Sequence, residues 1–227
     1  MSDSDLVPEG EGAFQREGRG LEFDRVAIFS DAIYAIAMTL LVVDIKIPEV
    51  DKSGADSWMV LDALESNLPE ITGFFLCFWL IGNTWINHHR FVASLRSIGH
   101  TLMALNMFYL AFVAFMPFAV NMISHYDNNI VSFLLFTGNL LLLNLLELTM
   151  FIVAYRLGRT RPTVTRAVFE FGLVSGVVPI LVYLLSIPVA MLHTTYGLMF
   201  LFLVYPIAAY RRRHAEPEVR RYLQTGG

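Results

Sequence analysis

Charge is scarce in this chain. Asp, Glu, Lys and Arg supply 16% of its 227 residues, where a soluble domain carries roughly 25%. Apolar residues supply 56%, and the mean hydropathy is +0.56. A soluble fold of this size cannot hide that much apolar surface, so a soluble globular protein is excluded, and disorder with it. Cysteine is nearly absent. The single Cys77 sits in an apolar run and allows neither an internal disulfide nor a thiolate metal cluster. The N-terminus lacks the basic region that opens a secretory signal. It is polar and acidic instead (Asp3, Asp5, Glu9, Glu11, Glu17, Glu22, Asp24), and residues 1–24 read as a mobile tail. No Gly-rich phosphate loop, nucleophile elbow or redox motif is present. His88 and His89 are adjacent and diverge by about 100° on a helix, whereas metal-binding pairs favour i, i+3 or i, i+4. His100, His125 and His193 are scattered. The expectation is a protein that is not an enzyme and has no metal and no cofactor.

What the chain has is long apolar runs. Six are near membrane-spanning length, about 26–47, 71–89, 101–122, 130–155, 168–191 and 194–210. They show no period-2 alternation, so they predict helices rather than barrel strands. The basic residues give the orientation. Arg16, Arg19 and Arg25 precede or open span 1, and Arg90 and Arg96 lie between spans 2 and 3. Arg156, Arg159, Arg161 and Arg166 lie between spans 4 and 5, and Arg211, Arg212, Arg213, Arg220 and Arg221 follow span 6. All of these fall on one side of a six-span model, and only Lys46 and Lys52 on the other. The reading is an all-α, multi-pass protein of the cell (plasma) membrane with both termini in the cytoplasm. An acidic tail (1–24), a six-helix domain (25–212) and a basic tail (213–227) follow. The run Arg211-Arg212-Arg213-His214 fixes topology or meets anionic lipid. It makes no case for nucleic acid, because the acidic tail shares its side.

The connection between spans 1 and 2 is the sizeable outer segment, with Glu49, Asp51, Asp56, Asp62, Glu65 and Glu70. Val60, Leu61, Leu64 and Leu68 recur at helical spacing behind a cap at Asp56 or Ser57, which predicts a short amphipathic helix over 57–68. Its acids either concentrate cations at a pore mouth or simply keep the outer face soluble.

An ionisable residue inside a span costs about 2.5–3.5 kcal/mol on insertion scales. Span 1 contains Asp31, span 2 ends in Trp85, Asn87, His88, His89 and Arg90, and span 4 contains Asn144 and Glu147. Given the span directions, Arg25, Asp31, His88, His89 and Glu147 fall in one inner layer, where an Arg/Asp/His network can satisfy itself. On span 1, Phe29, Ile36, Thr39/Leu40, Val43 and Ile47 form one stripe. Asp31 lies about 140° away from Ile36 at about 100° per residue. Periodicity alone leaves that stripe to lipid, core or a pore.

The run Arg25-Val-Ala-Ile-Phe29-Ser30-Asp31 resembles R-x3-F-S-D, the motif of the transmembrane protein 175 family of potassium channels. The continuation Ala32–Leu41 and the ending Trp85…His88-His89 look similar too, and the resemblance covers about residues 22–212. It implies a homotetramer in the lipid bilayer that conducts potassium ions passively, with K+ as permeant ion. The first helix of each subunit would line a central pore. Ile36 would be the hydrophobic constriction and Thr39, Leu40 and Val43 would line the path. Arg25, Phe29, Ser30 and Asp31 would form, with Trp85 and His88 or His89, the network that holds the pore helix. The family lacks the T-V-G-Y-G filter of ordinary potassium channels, and so does this chain. Four Ile36 side chains would make an apolar ring able to gate by dewetting.

Three other readings compete. A secondary ion or proton-coupled transporter would show internal repeats and broken helices. The faint echo at Arg166-Ala-Val-Phe169-Glu170 lacks Ser and Asp, and Pro117, Pro179, Pro188 and Pro206 read as tolerated kinks. A membrane enzyme lacks its motifs. An assembly protein, with Glu147 serving only to join helices, would carry no flux.

Overall fold

A computed structural model describes residues 9–45, 56–126 and 128–225. Lys46, Ile47, Glu49, Asp51 and Lys52 lie outside the described residues, as do the side chains that precede Phe23. The described chain is helical almost throughout. The elements are α1 Glu9–Leu40, a 3-10 turn Leu41–Asp44, α2 Ser57–Ser66, α3 Leu68–Ala93, α4 His100–His125 and α5 Ile130–Arg156. They continue with α6 Arg166–Ala190, α7 Thr194–Leu201, α8 Val204–Arg213 and α9 Pro217–Thr225.

The helix ends follow local chemistry. Asp56 accepts the Ser57 N–H at 2.7 Å, so the expected cap of α2 falls on Asp56. Asn129 accepts from Val131 N–H at 2.8 Å at the start of α5. Gly158, two residues past the end of α5, has φ +61°, the left-handed turn-out that glycine adopts without Cβ strain. Helices α4 and α6 continue past Pro117, Pro179 and Pro188 without interruption.

The structure adds detail at three places. Residues 1–24 read as an acidic tail, and α1 begins within it at Glu9. The basic tail also acquires structure: Val219 of α9 and Ala215 just before it pack against Val164 and Val168. The sixth span is likewise not one helix. It breaks between α7 and α8 at Phe202–Leu203. Pro206 lies four residues after Phe202, so it has no N–H to give that carbonyl and its ring crowds it. The backbone tightens instead, with Phe202 N–H bonded to Met199 O at 3.2 Å and Leu203 N–H to Phe200 O at 3.1 Å.

Among the described residues, α4, α5 and α6 are long and apolar enough to cross a membrane by length and composition. Helices α1 and α3 have the length but carry the polar residues of the inner layer. The core is centred on α4, with Tyr34, Ile81, Tyr109, Met116, Phe133 and Met150 at its heart. Helix α1 packs on α3 and α4, α4 on α5, α5 on α6, and α6 on α7. A Cβ added to Gly197 of α7 would lie 2.5 Å from the Ala190 Cβ and 2.8 Å from the Phe133 ring. Only glycine permits that approach.

The basic connections meet at one end. Arg96 N–H bonds Arg159 O at 2.9 Å and Arg161 N–H bonds Ser94 O at 2.8 Å. The Arg161 side chain adds a bond to Leu95 O at 3.2 Å. The opposite end joins Glu70 to His125 at 3.6 Å and Asn128 to the Thr194 hydroxyl at 3.3 Å. The charge asymmetry of the sequence is therefore an asymmetry between the two ends of the bundle.

Candidate functional site

Helix α1 has two unlike faces. Ser30, Tyr34 and Ala37 are buried against α3 and α4, Tyr34 at 1% exposure and Ala37 at 2%. The stripe read from the sequence lies on the other side and is bare: Ile36 is 60% exposed and Val43 78%, and Phe29 and Leu40 are exposed as well. At about 100° per residue the two sets are centred roughly a third of the circumference apart, so they face different neighbours.

Thr39 shares the bare face. Its hydroxyl donates to Ala35 O at 3.0 Å, with Ile36 O at 3.2 Å. A hydroxyl has one proton and two lone pairs. With the proton committed to its own helix, the Thr39 oxygen presents only acceptor character outward.

The structure brings some of the expected supporting residues together and separates others. Trp85 of α3 donates its indole N–H to Asp31 Oδ1 at 2.8 Å. Ser30 donates to Val26 O at 2.9 Å and accepts from Asn106 Nδ2 of α4 at 3.0 Å. His89 is exposed and its ring lies 5.4 Å from that of Trp85. His88 is buried among aromatic rings, stacked on Tyr109 at 5.0 Å and tilted against Tyr34 at 5.6 Å. Neither nitrogen of His88 has a hydrogen-bond partner among the described residues. Arg25 is exposed. The ion pairs among the described residues are Glu70–His125 and Arg166–Glu170, so Arg25 does not pair with Asp31. Glu147 lies elsewhere, in a cavity between α3, α5, α6 and α8.

Sequence reasoning missed three members of this layer. Asn106 supplies the donor to Ser30, and the Tyr34 and Tyr109 hydroxyls bond each other at 2.6 Å. Asn106 carried a readable signal, since a lone amide in an apolar span needs a partner on another helix. The two tyrosines carried none, because an aromatic residue in a span is ordinary core.

Comparison with known proteins gives these faces a context. Residues 25–117 match the family model described as "Endosomal/lysosomal potassium channel TMEM175". The chain is 36% identical over 105 residues to a potassium channel of Streptomyces collinus, covering 46% of this chain and 49% of that one. It is 33% identical over 108 residues to a potassium channel of Chamaesiphon minutus, covering 46% and 51%. It is 35% identical over 103 residues to the mouse endosomal/lysosomal proton channel TMEM175, covering 44% and 21%. The chain thus spans about half the length of the bacterial relatives it matches. Over most of its length it superposes on the crystal structure of a lysosomal potassium-selective channel TMEM175 homologue from Chamaesiphon minutus. That match has a TM-score of 0.69 at 23% identity, covering 84% of this chain and 97% of that one. The resemblance carried by the R-x3-F-S-D run therefore extends into α4 in sequence and across most of the bundle in fold, and the chain is a multi-pass, all-helical membrane protein.

Proposed function

We propose, for a chain with the TMEM175 sequence pattern over residues 25–117 and the fold of a TMEM175 homologue, that it is a potassium-preferring cation channel. Four copies set their α1 helices around a central axis. Ile36 forms the constriction, with Thr39, Leu40 and Val43 along the path. Conduction is passive and needs no cofactor, and K+ is the permeant ion. The chain sits in the plasma membrane with its basic end in the cytoplasm, as the arginine distribution favours.

The observation that carries this reading is the bare stripe itself. Helix α1 is anchored on one face by Ser30, Tyr34 and Ala37 and leaves Phe29, Ile36, Leu40 and Val43 uncovered on the other. Around a four-fold axis that stripe becomes a closed lining. A ring of Ile36 side chains excludes water until it widens, which is how an apolar gate works. One turn farther along, Thr39 oxygens with committed protons present acceptors to a cation shedding part of its hydration.

The test is a reversal potential. The purified protein is placed in a planar bilayer with potassium on one side and sodium on the other. Current reversing toward the potassium equilibrium potential supports the proposal. Reversal near zero keeps a pore and removes the preference. No current from verified tetramers over a range of voltage and pH would sink the channel reading and favour a transporter.

A further inference from the structure

A cavity of about 410 Å³ lies away from the α1 stripe, bounded by α3, α5, α6 and α8 and closed toward the basic end by α9. Its size is that of a small-molecule site. The lining is ordered along its length. On α3 it runs Arg90, Asn87, Asn83, Leu80, from a cation through two amides to an apolar side chain. From Leu80 to Ser94 this wall extends about 21 Å at 1.5 Å per residue. Arg211 and Arg212, at the end of α8, line the same end as Arg90.

Three guanidinium groups therefore converge where helices α3 and α8 both finish. Arg212 lies close enough to Arg90 for mutual repulsion. None of the three belongs to an ion pair among the described residues. Arg211 is the most constrained. It sits 4.8 Å over the Phe171 ring and donates one N–H to Phe171 O at 3.4 Å, while its Nη1 is buried with no hydrogen-bond partner among the described residues. Arg90 and Arg212 are exposed and Arg211 is half-buried, and like charges gathered around a buried donor left over call for an anion.

We infer that this cavity binds an anionic phospholipid, its phosphate held by Arg90, Arg211 and Arg212 and an acyl chain laid along the apolar wall past Leu80, Leu143 and Pro179. Asn87 and Asn83 lie where ester carbonyls follow a phosphate, and amide N–H groups are donors suited to them. Glu147 is the one acid on the lining. It lies on α5 within the membrane part and supplies no cation for a phosphate there, whereas the three arginines supply cations at the basic end. The apolar wall distinguishes a lipid from a free phosphate ion, which would leave that wall uncovered. The site is independent of the proposed conduction path, since the cavity lining includes no residue of α1.

The test uses the full chain in neutral detergent, stripped of lipid. Native mass spectrometry counts bound lipid while phosphatidylglycerol competes with phosphatidylcholine of the same acyl chains. Thermal unfolding is followed with each lipid and with inorganic phosphate. The expectation is preferential retention of phosphatidylglycerol and a stabilising shift that phosphate does not reproduce. The double substitution Arg211→Gln, Arg212→Gln should weaken phosphatidylglycerol binding by about tenfold or more. Arg213→Gln removes an adjacent charge outside the cavity and should leave binding unchanged. Equal retention of the two lipids by the wild-type protein overturns the inference even where a variant fails to fold. So does an equal loss in the Arg213→Gln control, or a phosphate effect equal to that of the lipid.

Discussion

Asp31 of α1 accepts the indole N–H of Trp85 of α3 at 2.8 Å, while Ile36, five residues farther along α1, points to the bare side of the same helix. The pairing holds the helix from one direction and leaves the stripe free in another. Trp85→Phe keeps the ring and removes the donor. A hydrogen bond to a carboxylate at a half-exposed site contributes about 1 kcal/mol. Apparent melting temperature and tetramer yield should therefore fall modestly, with the permeability ratio unchanged. An altered ratio with normal stability would mean that the pair touches the ion path.

Ile36→Asn places an amide in the proposed apolar ring. Wetting of the ring should raise single-channel conductance several-fold. Identical conductance in a well-folded tetramer would remove Ile36 from the constriction.

Thr39→Val keeps shape and removes the oxygen. The hydroxyl proton is bonded within its own helix, so the variant loses an outward acceptor and little else. The shift of reversal potential under potassium against sodium should shrink. An unchanged reversal potential would assign ion preference to other groups.

His88→Phe should be tolerated. His88 packs as a ring among rings and uses neither nitrogen among the described residues. Replacing a polar group that makes no bond by an apolar one of similar shape is close to neutral. Size-exclusion profile and melting temperature are the readouts, and a marked loss of stability would show that a ring nitrogen of His88 is needed in the core.

Gly197→Leu should destabilise the end of the bundle opposite the arginines by about 1–3 kcal/mol, because its Cβ would meet Ala190 and Phe133 at once. A lower apparent melting temperature without a change of selectivity is the expected result. Wild-type stability would mean that α7 can move off α6.

Much of this architecture was legible because membranes permit few solutions. Runs of apolar residues become helices, and arginines mark one end. Five of the expected spans coincide with α1, α3, α4, α5 and α6 to within a few residues at most ends, and α2 starts where Asp56 caps it. The break before α8 was less legible. Its cause, Pro206, was visible, but α4 and α6 carry prolines without breaking. A proline in an apolar run can either break a helix or be accommodated within it, and one sequence does not reveal which. The inner layer was half legible. Asp31 and Trp85 meet, whereas Arg25 stays apart and Asn106 takes up Ser30. Depth could be estimated from span direction, but the rotation of each helix about its axis could not. The three-arginine cavity depends on such rotations and on the fold of α9, so the sequence offered only the run Arg211–Arg213 as a hint.

The backbone clasp between Ser94–Arg96 and Arg159–Arg161 bears on how the chain is made. Its two halves are separated by the whole of α4 and α5. A growing chain that has delivered α1 to α4 into the membrane holds the first half of the clasp with nothing to close it. The backbone groups of Ser94 and Arg96 stay with water until Arg161 has been synthesised. The segment that matches the family model ends at residue 117, before that point. The fold that segment adopts is thus completed by residues it does not contain, and synthesis must pass α5 before the basic end of the bundle locks.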